Sequence, residues 1–441
     1  MAGNDRVNLR RCAGSQGRNT LDNVVKHDKL RPATPDAPIQ LVSRQMPEQH
    51  RRSPVSSSPI SMRPEPPKAA AAAIVSTPLD EAVYNTRIYE LSPSAFNALR
   101  AELISSYLAQ TTQNCCEFRR YSGGKQYRAG SNVVPARYIP TTVFKVTELL
   151  SIRPEHVEKW CLSSGTAGRQ SRIGRDRSSL ERLIGSVRQS LSLIEEWDEE
   201  ELNIIHLGPS YEDSGDIWFP YVMSLAELLY ATESFGGAAH LDIAGAVARY
   251  VQLREAGRQV GLIGPPFAVK DFCEAYRAAG QPSTAGAEVT VVTGGGWKTH
   301  EGMSIPRDRF RALVTSTLGL EDDSRVRDAF NQVELNTVML ECEQHRFHIP
   351  PWVAATALDP ESLMPVEQGN KGLLAYIDAS ASSYPCVIVG DDIGSVSEQP
   401  CSCKRPGSLL QFDRRLVRSS GAGCATILAE RFSKRPAHDP N

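Results

Sequence analysis

The segment with the plainest chemical potential is Ser163-Ser164-Gly165-Thr166-Ala167-Gly168. Its glycines let the backbone come close to a ligand and turn N–H groups toward oxygen. The hydroxyls of Ser163, Ser164 and Thr166 add donors, so the combination suits a polyphosphate. A helical pattern starting near Ser178 places a positive helix end close by, which favours an anion. The segment lacks the Gly-Lys-Ser/Thr ending of a Walker loop. On composition alone it also reads as a plain Ser/Gly turn.

Three later segments bear on that choice. Gly294-Gly295-Gly296-Trp297-Lys298 directly follows the strand-like run Val289 to Thr293. A triple glycine at a strand end admits a flat ring or a phosphate. Lys298 offers charge to a phosphate or carboxylate, though a lysine one step past a tryptophan can equally be solvated. Asn331-Gln332-Val333-Glu334 supplies a carboxylate for a hard cation such as Mg²⁺. Gly390-Asp391-Asp392-Ile393-Gly394 follows the strand-like Val387 to Val389, where an acidic residue can accept from ribose hydroxyls. Each is a common loop. In this order they look like the parts of a nucleotide site.

Other reactive side chains carry blander readings. Cys401-Ser402-Cys403 is a Cys-x-Cys pair, but zinc needs about four ligands. Cys386 and His438 are the candidates for the others, and the spacing fits no strong zinc pattern. Cys115 and Cys116 suit packing. His206, inside a strand-like run, reads as a satisfied core histidine. His345 and His348 read as loop or strand residues near the site. The acidic run Glu195 to Glu201 is a solvated helix end.

The elements that must position these groups follow from the rest of the chain. At 441 residues it is long enough for two or three structural units. The formal net charge of -2 supplies no pull toward nucleic acid. No stretch of about 18 apolar residues is present, so no membrane span is expected. With 10 cysteines in so long a chain, a disulfide scaffold is not indicated. The expectation is a soluble cytoplasmic protein with reduced thiols. Residues 1–78 hold roughly a third of the prolines, with Arg10-Arg11, Arg51-Arg52 and a Ser56-Ser57-Ser58 run, and read as a disordered or linker-like extension. Ordered structure should begin near Leu79. Ser92 and Pro93 suit an N-cap and first helical position ahead of Phe96, Leu99, Leu103 and Leu108. Helical spacing recurs at Leu180, Leu183, Ile184 and Val187, and at Val222, Leu225, Leu228 and Leu229. Short β-branched runs at 203–206, 260–263, 288–293 and 387–389 alternate with these, which argues for an α/β body with a largely parallel sheet.

The ordered set Ser-Ser-Gly-Thr-Ala-Gly, Gly-Gly-Gly-Trp-Lys, Asn-Gln-Val-Glu and Asp-Asp-Ile-Gly resembles the adenylate-forming ligases, and more narrowly the LuxE-type acyl-protein synthetases. Supporting segments are Ile139 to Lys145, Arg175-Asp176-Arg177, Leu207-Gly208-Pro209, Ile263 to Pro266, Phe330 to Asn336, His348 to Trp352 and Asp378-Ala379-Ser380. The similarity runs from about Leu91 to Cys424.

The resemblance implies an adenylate-forming, acyl-CoA synthetase-like large domain with mixed sheets and helices over 79–392, and a short C-terminal segment over 393–441. It implies ATP and Mg²⁺ as cofactors, a fatty carboxylic acid as substrate, acyl-AMP as intermediate and pyrophosphate as product. The acyl group would pass to the chain's own Cys424, in Gly421-Ala422-Gly423-Cys424, and then to a partner acyl-protein reductase that makes the aldehyde. A thioesterase supplying the acid is a further implied partner. By position, Ser163, Ser164, Gly165, Thr166 and Gly168 would hold phosphates. Gly294, Gly295 and Gly296 would flank adenine and the acyl carboxylate, with Asn331 and Gln332 in the nucleotide-binding set. Glu334 would bind Mg²⁺, Asp392 the ribose, and Arg415 would sit near the nucleotide. The chain departs from the superfamily in its short C-terminus: after Asp392 the only lysines are Lys404 and Lys434, neither in a recognisable catalytic motif. Two other readings remain at this point: a ligase loading a carrier protein or amine, and a non-catalytic nucleotide-binding scaffold.

Overall fold

The computed structural model describes residues 77–124, 137–164, 169–194, 197, 201–237, 240–283, 288–297 and 304–415. The expected extension at 1–78 lies outside this set except for its last two residues.

The described chain opens with α1 (Pro78–Tyr84), where Thr77 and Asp80 form a reciprocal capping box. Helix α2 (Pro93–Asn114) starts where its sequence asks, with the Ser92 hydroxyl accepting from Ala95 N–H. Then come α3 (Cys116–Tyr121), β1 (Ile139–Pro140), β2 (Lys159–Leu162), β3 (Arg172–Arg175) and α4 (Arg177–Leu191). An alternating stretch follows: β4 (Leu202–Pro209), α5 (Trp218–Ser224), β5 (Ala231–Gly236), α6 (Ile243–Glu255), β6 (Gln259–Gly264), α7 (Pro266–Ala278), β7 (Val289–Gly294), α8 (Arg307–Leu318) and β8 (Val326–Phe330). The rest is strand: β9 (Met339–Leu340), β10 (Phe347–His348), β11 (Val353–Leu358), β12 (Lys371–Asp378), β13 (Val387–Ser397) and β14 (Leu409–Arg415).

The alternating stretch builds the expected parallel sheet, in the order β5-β4-β6-β7-β8-β9 with only β9 antiparallel. Its strands are apolar on both faces because helices cover both. Ile205, Leu207, Leu262 and Val291 pack with Tyr250, Phe272 and Val314 of the outer helices. Ile204, Ile263 and Val292 face the other way, toward Leu183, Val187, Trp218 and Met223. After β4 the chain adds β5 on one side and then crosses to β6 on the other. The sheet's topological switch point therefore lies at β4, and ligands of such sheets gather at the strand C-termini there. Those ends carry Pro209, Gly264, Gly294 and Phe330 with Asn331.

The second six-stranded sheet has the order β10-β14-β13-β12-β11, with β1 beside β13. It is antiparallel except for the β1–β13 pair. No helix separates β11 to β14, so successive strands turn back on one another. Strand β13 is shared: its first half pairs with β1 through Ile388 and Val389, its second half with β14 from Asp392 to Ser397. The boundary expected at 392/393 falls inside this continuous strand.

Candidate active site

The phosphate-type segment is the loop of a hairpin, not of a strand–helix unit. Strands β2 and β3 pair antiparallel, and the loop joins them. Ser163 closes its base: its N–H donates to Ser171 carbonyl at 3.0 Å, its hydroxyl accepts from Ser171 N–H at 2.9 Å, and its carbonyl accepts from Gln170 at 2.7 Å. Ser164 is exposed beside it. Gly165, Thr166 and Gly168 lie outside the described residues. The nearby helix end does not serve the loop as expected. Strand β3 intervenes, and the first turn of α4 is capped by Asp176, whose carboxylate accepts from Ser179 N–H at 2.9 Å. A carboxylate already occupies the place an anion would take.

Beneath the hairpin, Arg175 organises the segment that holds Asn331 to Asn336. It is fully buried. Its Nε donates to Asn336 Oδ1 at 2.9 Å and its Nη2 to Val333 carbonyl at 2.7 Å, while the guanidinium lies 3.7 Å from the Trp218 ring centroid. Asn336 in turn donates to Ser179 carbonyl at 2.8 Å, and its N–H donates to Asp378 at 2.9 Å. Asp378 also accepts from Thr337 and Ser380. Burial raises the Asp378 carboxyl above its ordinary value, and these donors hold it down. A charge-assisted network of this kind fixes a loop as a rigid element. It explains why Arg175-Asp176-Arg177, Phe330 to Asn336 and Asp378-Ala379-Ser380 occur together.

The rigid loop places the predicted ligands. Asn331 accepts from the Trp218 indole and donates to Thr337 carbonyl at 2.7 Å, so both ends of its amide are used structurally. Gln332 is 9% exposed and its Nε2 has no partner among the described residues. It faces Gly390 of β13, where an added Cβ would lie 3.7 Å from Gln332 Oε1. Glu334 is buried and makes no ion pair among the described residues. Burial raises its carboxyl, while the Ser171 hydroxyl, Arg415 and Lys145 pull the other way. A carboxylate oxygen is the hard donor Mg²⁺ takes, and that ion is commonly held by one or two carboxylates together with substrate phosphates, so Glu334 fits it by donor type.

Asp392 and Arg415 face each other across β13 and β14. Arg415 Nε lies 3.0 Å from Asp392 Oδ1. Burial raises the Asp392 carboxyl and Arg415 opposes that rise. Tyr376, on β12, is close enough for the Asp392 charge to push its phenol higher still. At the parallel sheet's edge, Gly295 and Gly296 have φ of 75° and 62°. An added Cβ on Gly295 would lie 2.4 Å from the Phe219 ring, whereas one on Gly296 would meet open space. Lys298 and Cys424 lie outside the described residues.

Two useful residues, Arg175 and Lys145, lie in segments that support the family resemblance, but their types and spacing point to no role. Arg175 shares its four-residue strand with Arg172, and nothing local in the sequence separates the two. Lys145 ends a 3₁₀ turn, and only proximity to Glu334 singles it out. Around the Cys-x-Cys pair one candidate drops out and other residues find their place. His348 and His345 sit by the cysteines, with His348 Nε2 3.1 Å from Cys403 Sγ. Cys386 does not join Cys401 and Cys403, because its thiol points at Glu334 carbonyl, 3.1 Å away. Lys404 lies in the cysteine turn. His206 is a core histidine as expected, 1% exposed, with Nδ1 3.1 Å from Ser234 Oγ.

Comparisons with known proteins bear on the family and the fold. The family model described as acyl-protein synthetase, LuxE, matches residues 69–433. The long-chain-fatty-acid–luciferin-component ligase of Vibrio harveyi is 36% identical over 363 residues, 82% of this chain and 95% of the relative. The protein of the same name from Aliivibrio fischeri is 38% identical over 362 residues, 82% and 96% of the two chains. Among solved structures, an open conformation of 2-hydroxyisobutyryl-CoA ligase in complex with 2-HIB-AMP and CoA matches at a TM-score of 0.58 and 13% identity, covering 75% of this chain and 77% of that one. That likeness shows the fold. Given the matched span and the identity to both relatives, this chain belongs to the LuxE family of acyl-protein synthetases, ligases of the adenylate-forming class.

Proposed function

We propose that the protein converts a fatty acid and Mg-ATP to acyl-AMP and pyrophosphate, moves the acyl group to Cys424 as a thioester, and delivers it to an acyl-protein reductase. The observation that carries this reading is the position of Arg415. It pairs with Asp392 at 3.0 Å and is close enough to Glu334 to oppose the rise that burial gives its carboxyl. Residues from three separate segments thus meet at one place, beside the hairpin loop whose base is Ser163 and Ser171.

In this mechanism the substrate carboxylate attacks the α-phosphorus, the phosphorus–oxygen bond to pyrophosphate breaks, and negative charge grows on the leaving group. The donors of the 163–168 loop, with Arg415 and Lys145, stabilise that charge. Asp392 accepts from the ribose hydroxyls. Glu334 would hold Mg²⁺, which supplies Lewis-acid neutralisation of the phosphates. The Cys424 thiolate then attacks the acyl carbonyl, forming the carbon–sulfur bond and expelling AMP. In the sequence Cys424 follows Arg415 by nine residues, between Gly423 and Ala425, and the transfer asks its thiol to meet first its own adenylate and then the reductase.

A fatty chain needs an apolar path. A small cavity of about 40 Å³ is lined by Val187, Leu191, Met223, Ala226, Val292 and Ala329. An added Cβ on Gly294 would lie 3.6 Å from Met223 Sδ and 3.3 Å from Ala329 carbonyl. The cavity therefore adjoins the glycine loop. Such a volume holds only the end of a chain, so acyl binding would have to widen it.

The test combines Mg-ATP with a panel of carboxylic acids and follows pyrophosphate release and intact mass together. The expected result is pyrophosphate plus a hydroxylamine-labile acyl adduct, with Cys424→Ser retaining the first and losing the second. A labile adduct that persists in Cys424→Ser would overturn the nucleophile assignment. Pyrophosphate without any adduct would favour a ligase that loads a separate carrier.

A further inference from the structure

Four donor side chains outside the nucleotide site converge from two distant stretches. Cys342 and His348 come from the β9–β10 turn and its end, Cys401 and Cys403 from the link between β13 and β14. Their ligating atoms all lie within 4.8 Å of one another. Cys342 Sγ is 3.9 Å from Cys401 Sγ, and Cys403 Sγ is 3.1 Å from His348 Nε2. A tetrahedral zinc with ligands at about 2.0–2.3 Å needs donor–donor edges of about 3.3–3.8 Å. The observed spacings straddle that range.

The backbone is shaped around the same point. Cys342 and Cys401 each open a tight turn. His345 N–H donates to Cys342 carbonyl at 2.9 Å, and Lys404 N–H to Cys401 carbonyl at 3.0 Å. Each turn ends in a left-handed residue, His345 at φ 55° and Lys404 at φ 67°. Only three non-glycine residues in the described chain have positive φ, and two stand at equivalent places in these turns. Left-handed backbone is disfavoured for a non-glycine residue, because its Cβ crowds the following carbonyl oxygen. Such strain persists only where the surroundings over-determine it. Two turns of one geometry, each presenting its first cysteine to a shared centre, provide such a reason.

Second contacts fix the ligands. His348 Nδ1 lies 3.1 Å from Pro406 carbonyl, the bond that sets the ring's tautomer and leaves Nε2 free to ligate. Arg405 pairs with Glu343 at 2.6 Å, and Ser402 donates to Gln344 at 3.0 Å, so the turns are cross-braced. Cys342 is fully buried, His348 is 1% and Cys401 9% exposed, and Cys403 is partly open. The centre is shielded yet reachable.

We propose that Cys342, His348, Cys401 and Cys403 form a structural zinc site. All four positions of a tetrahedral ion are filled by protein, so the site is closed to substrate and does not take part in adenylation. Its work is to staple the β13–β14 link to the β9–β10 turn. Strand β14 carries Arg415 at its end, so the staple helps hold the strand that meets Asp392. Binding zinc displaces the protons of the cysteine thiols, and the ion replaces them without redox change.

The experiment uses the full-length chain, purified without chelator under reducing conditions, with metal content measured by mass spectrometry. About one zinc per chain is expected. Exchange with cobalt should give the intense visible bands of tetrahedral cobalt and a thiolate-to-cobalt charge-transfer band. Cys342→Ser and Cys401→Ser should lose most of the metal, and His348→Cys should retain it where His348→Ala does not. Cys273→Ala, whose thiol is buried in the outer-helix core, should keep the full amount. Wild-type protein that holds no zinc after reconstitution would overturn the proposal. So would full metal in the Cys342, Cys401 double variant, or a Cys342–Cys401 disulfide in place of an ion.

Discussion

Arg415 Nε and Asp392 Oδ1 lie 3.0 Å apart across two strands, yet the two side chains have different surroundings. Asp392 is buried, at 4% exposure, and the Arg415 side chain is 65% exposed. The buried partner depends on the exposed one. Removing Arg415 leaves a carboxylate in a poorly solvated place, with Glu334 as a second acid within range. Arg415→Gln should destabilise the protein by about 1–2 kcal/mol, less than for a fully buried pair because solvent screens the guanidinium. The sign with pH follows. Burial raises the folded Asp392 carboxyl above its unfolded value, so stability falls as pH rises through that interval, and losing Arg415 widens the interval. Chemical denaturation of the variant across mildly acidic pH checks this. The double variant with Asp392→Asn should recover the lost stability while still binding ATP weakly.

His206 titrates in the opposite sense. Burial lowers its imidazole from an ordinary 6.5 to about 4. The folded state holds it neutral, so its contribution to stability is complete above pH 6.5 and is lost as pH falls toward 4. The span corresponds to about 3 kcal/mol. His206→Gln should flatten the acid limb of the stability curve in that interval. No inflection near pH 6.5 in adenylation should trace to this residue. An inflection that vanishes in the variant would make it the proton shuttle.

The two left-handed glycines should separate conformation from contact. Gly295 and Gly296 share positive φ, but only Gly295 lies against a ring, with Phe219 2.4 Å from a built Cβ. Gly296→Ala should cost about 1 kcal/mol of backbone strain. Gly295→Ala should cost more and raise KM for ATP, because Phe219 must move. Combining it with Phe219→Ala should restore part of the stability. Equal effects in both single variants would mean that the ring contact is immaterial.

These cases mark what a sequence can reveal. Loops of glycine and hydroxyl residues are legible because their composition is local, and so are the parallel strands, whose apolar runs at 203–206 and 260–263 reappear as β4 and β6. Arg175 was not legible as an organiser, because its acceptors are Val333 and Leu335 carbonyls and Asn336, far along the chain. The cysteine cluster was hidden for the same reason: Cys342 and Cys401 are 59 residues apart, and Cys386 is nearer in sequence but faces elsewhere. The hairpin origin of the phosphate loop was obscured by β3, a four-residue strand too short to show a period.

Arg175 should be the least replaceable side chain near the site. It is fully buried, with three described backbone or amide acceptors and a Trp218 ring against it. Lysine cannot reproduce the fork or the ring stacking. Arg175→Lys should destabilise by about 3 kcal/mol or more, since carbonyls of the 333–335 turn lose their donors in a dry place. Adenylation should fall further than stability alone explains, because Glu334 sits in that turn. Measuring pyrophosphate release well below the variant's melting temperature distinguishes the two effects. Unchanged release there would confine Arg175 to stability.

The apolar cavity makes the substrate proposal quantitative. Ala226 is 3% exposed and lines it with Met223 and Ala329. Ala226→Leu fills space that an acyl tail would need, at a site where each buried methylene is worth about 0.8 kcal/mol. If the tail enters here, kcat/KM for long acids should fall roughly 10- to 100-fold, while acids too short to reach the cavity keep their rate. A variant that is merely strained by overpacking would lose activity with all acids alike and show a lower melting temperature. Chain-length profiles of the two proteins, measured at one temperature below both melting points, separate these outcomes. A parallel downward shift of the whole profile would place the acyl chain elsewhere.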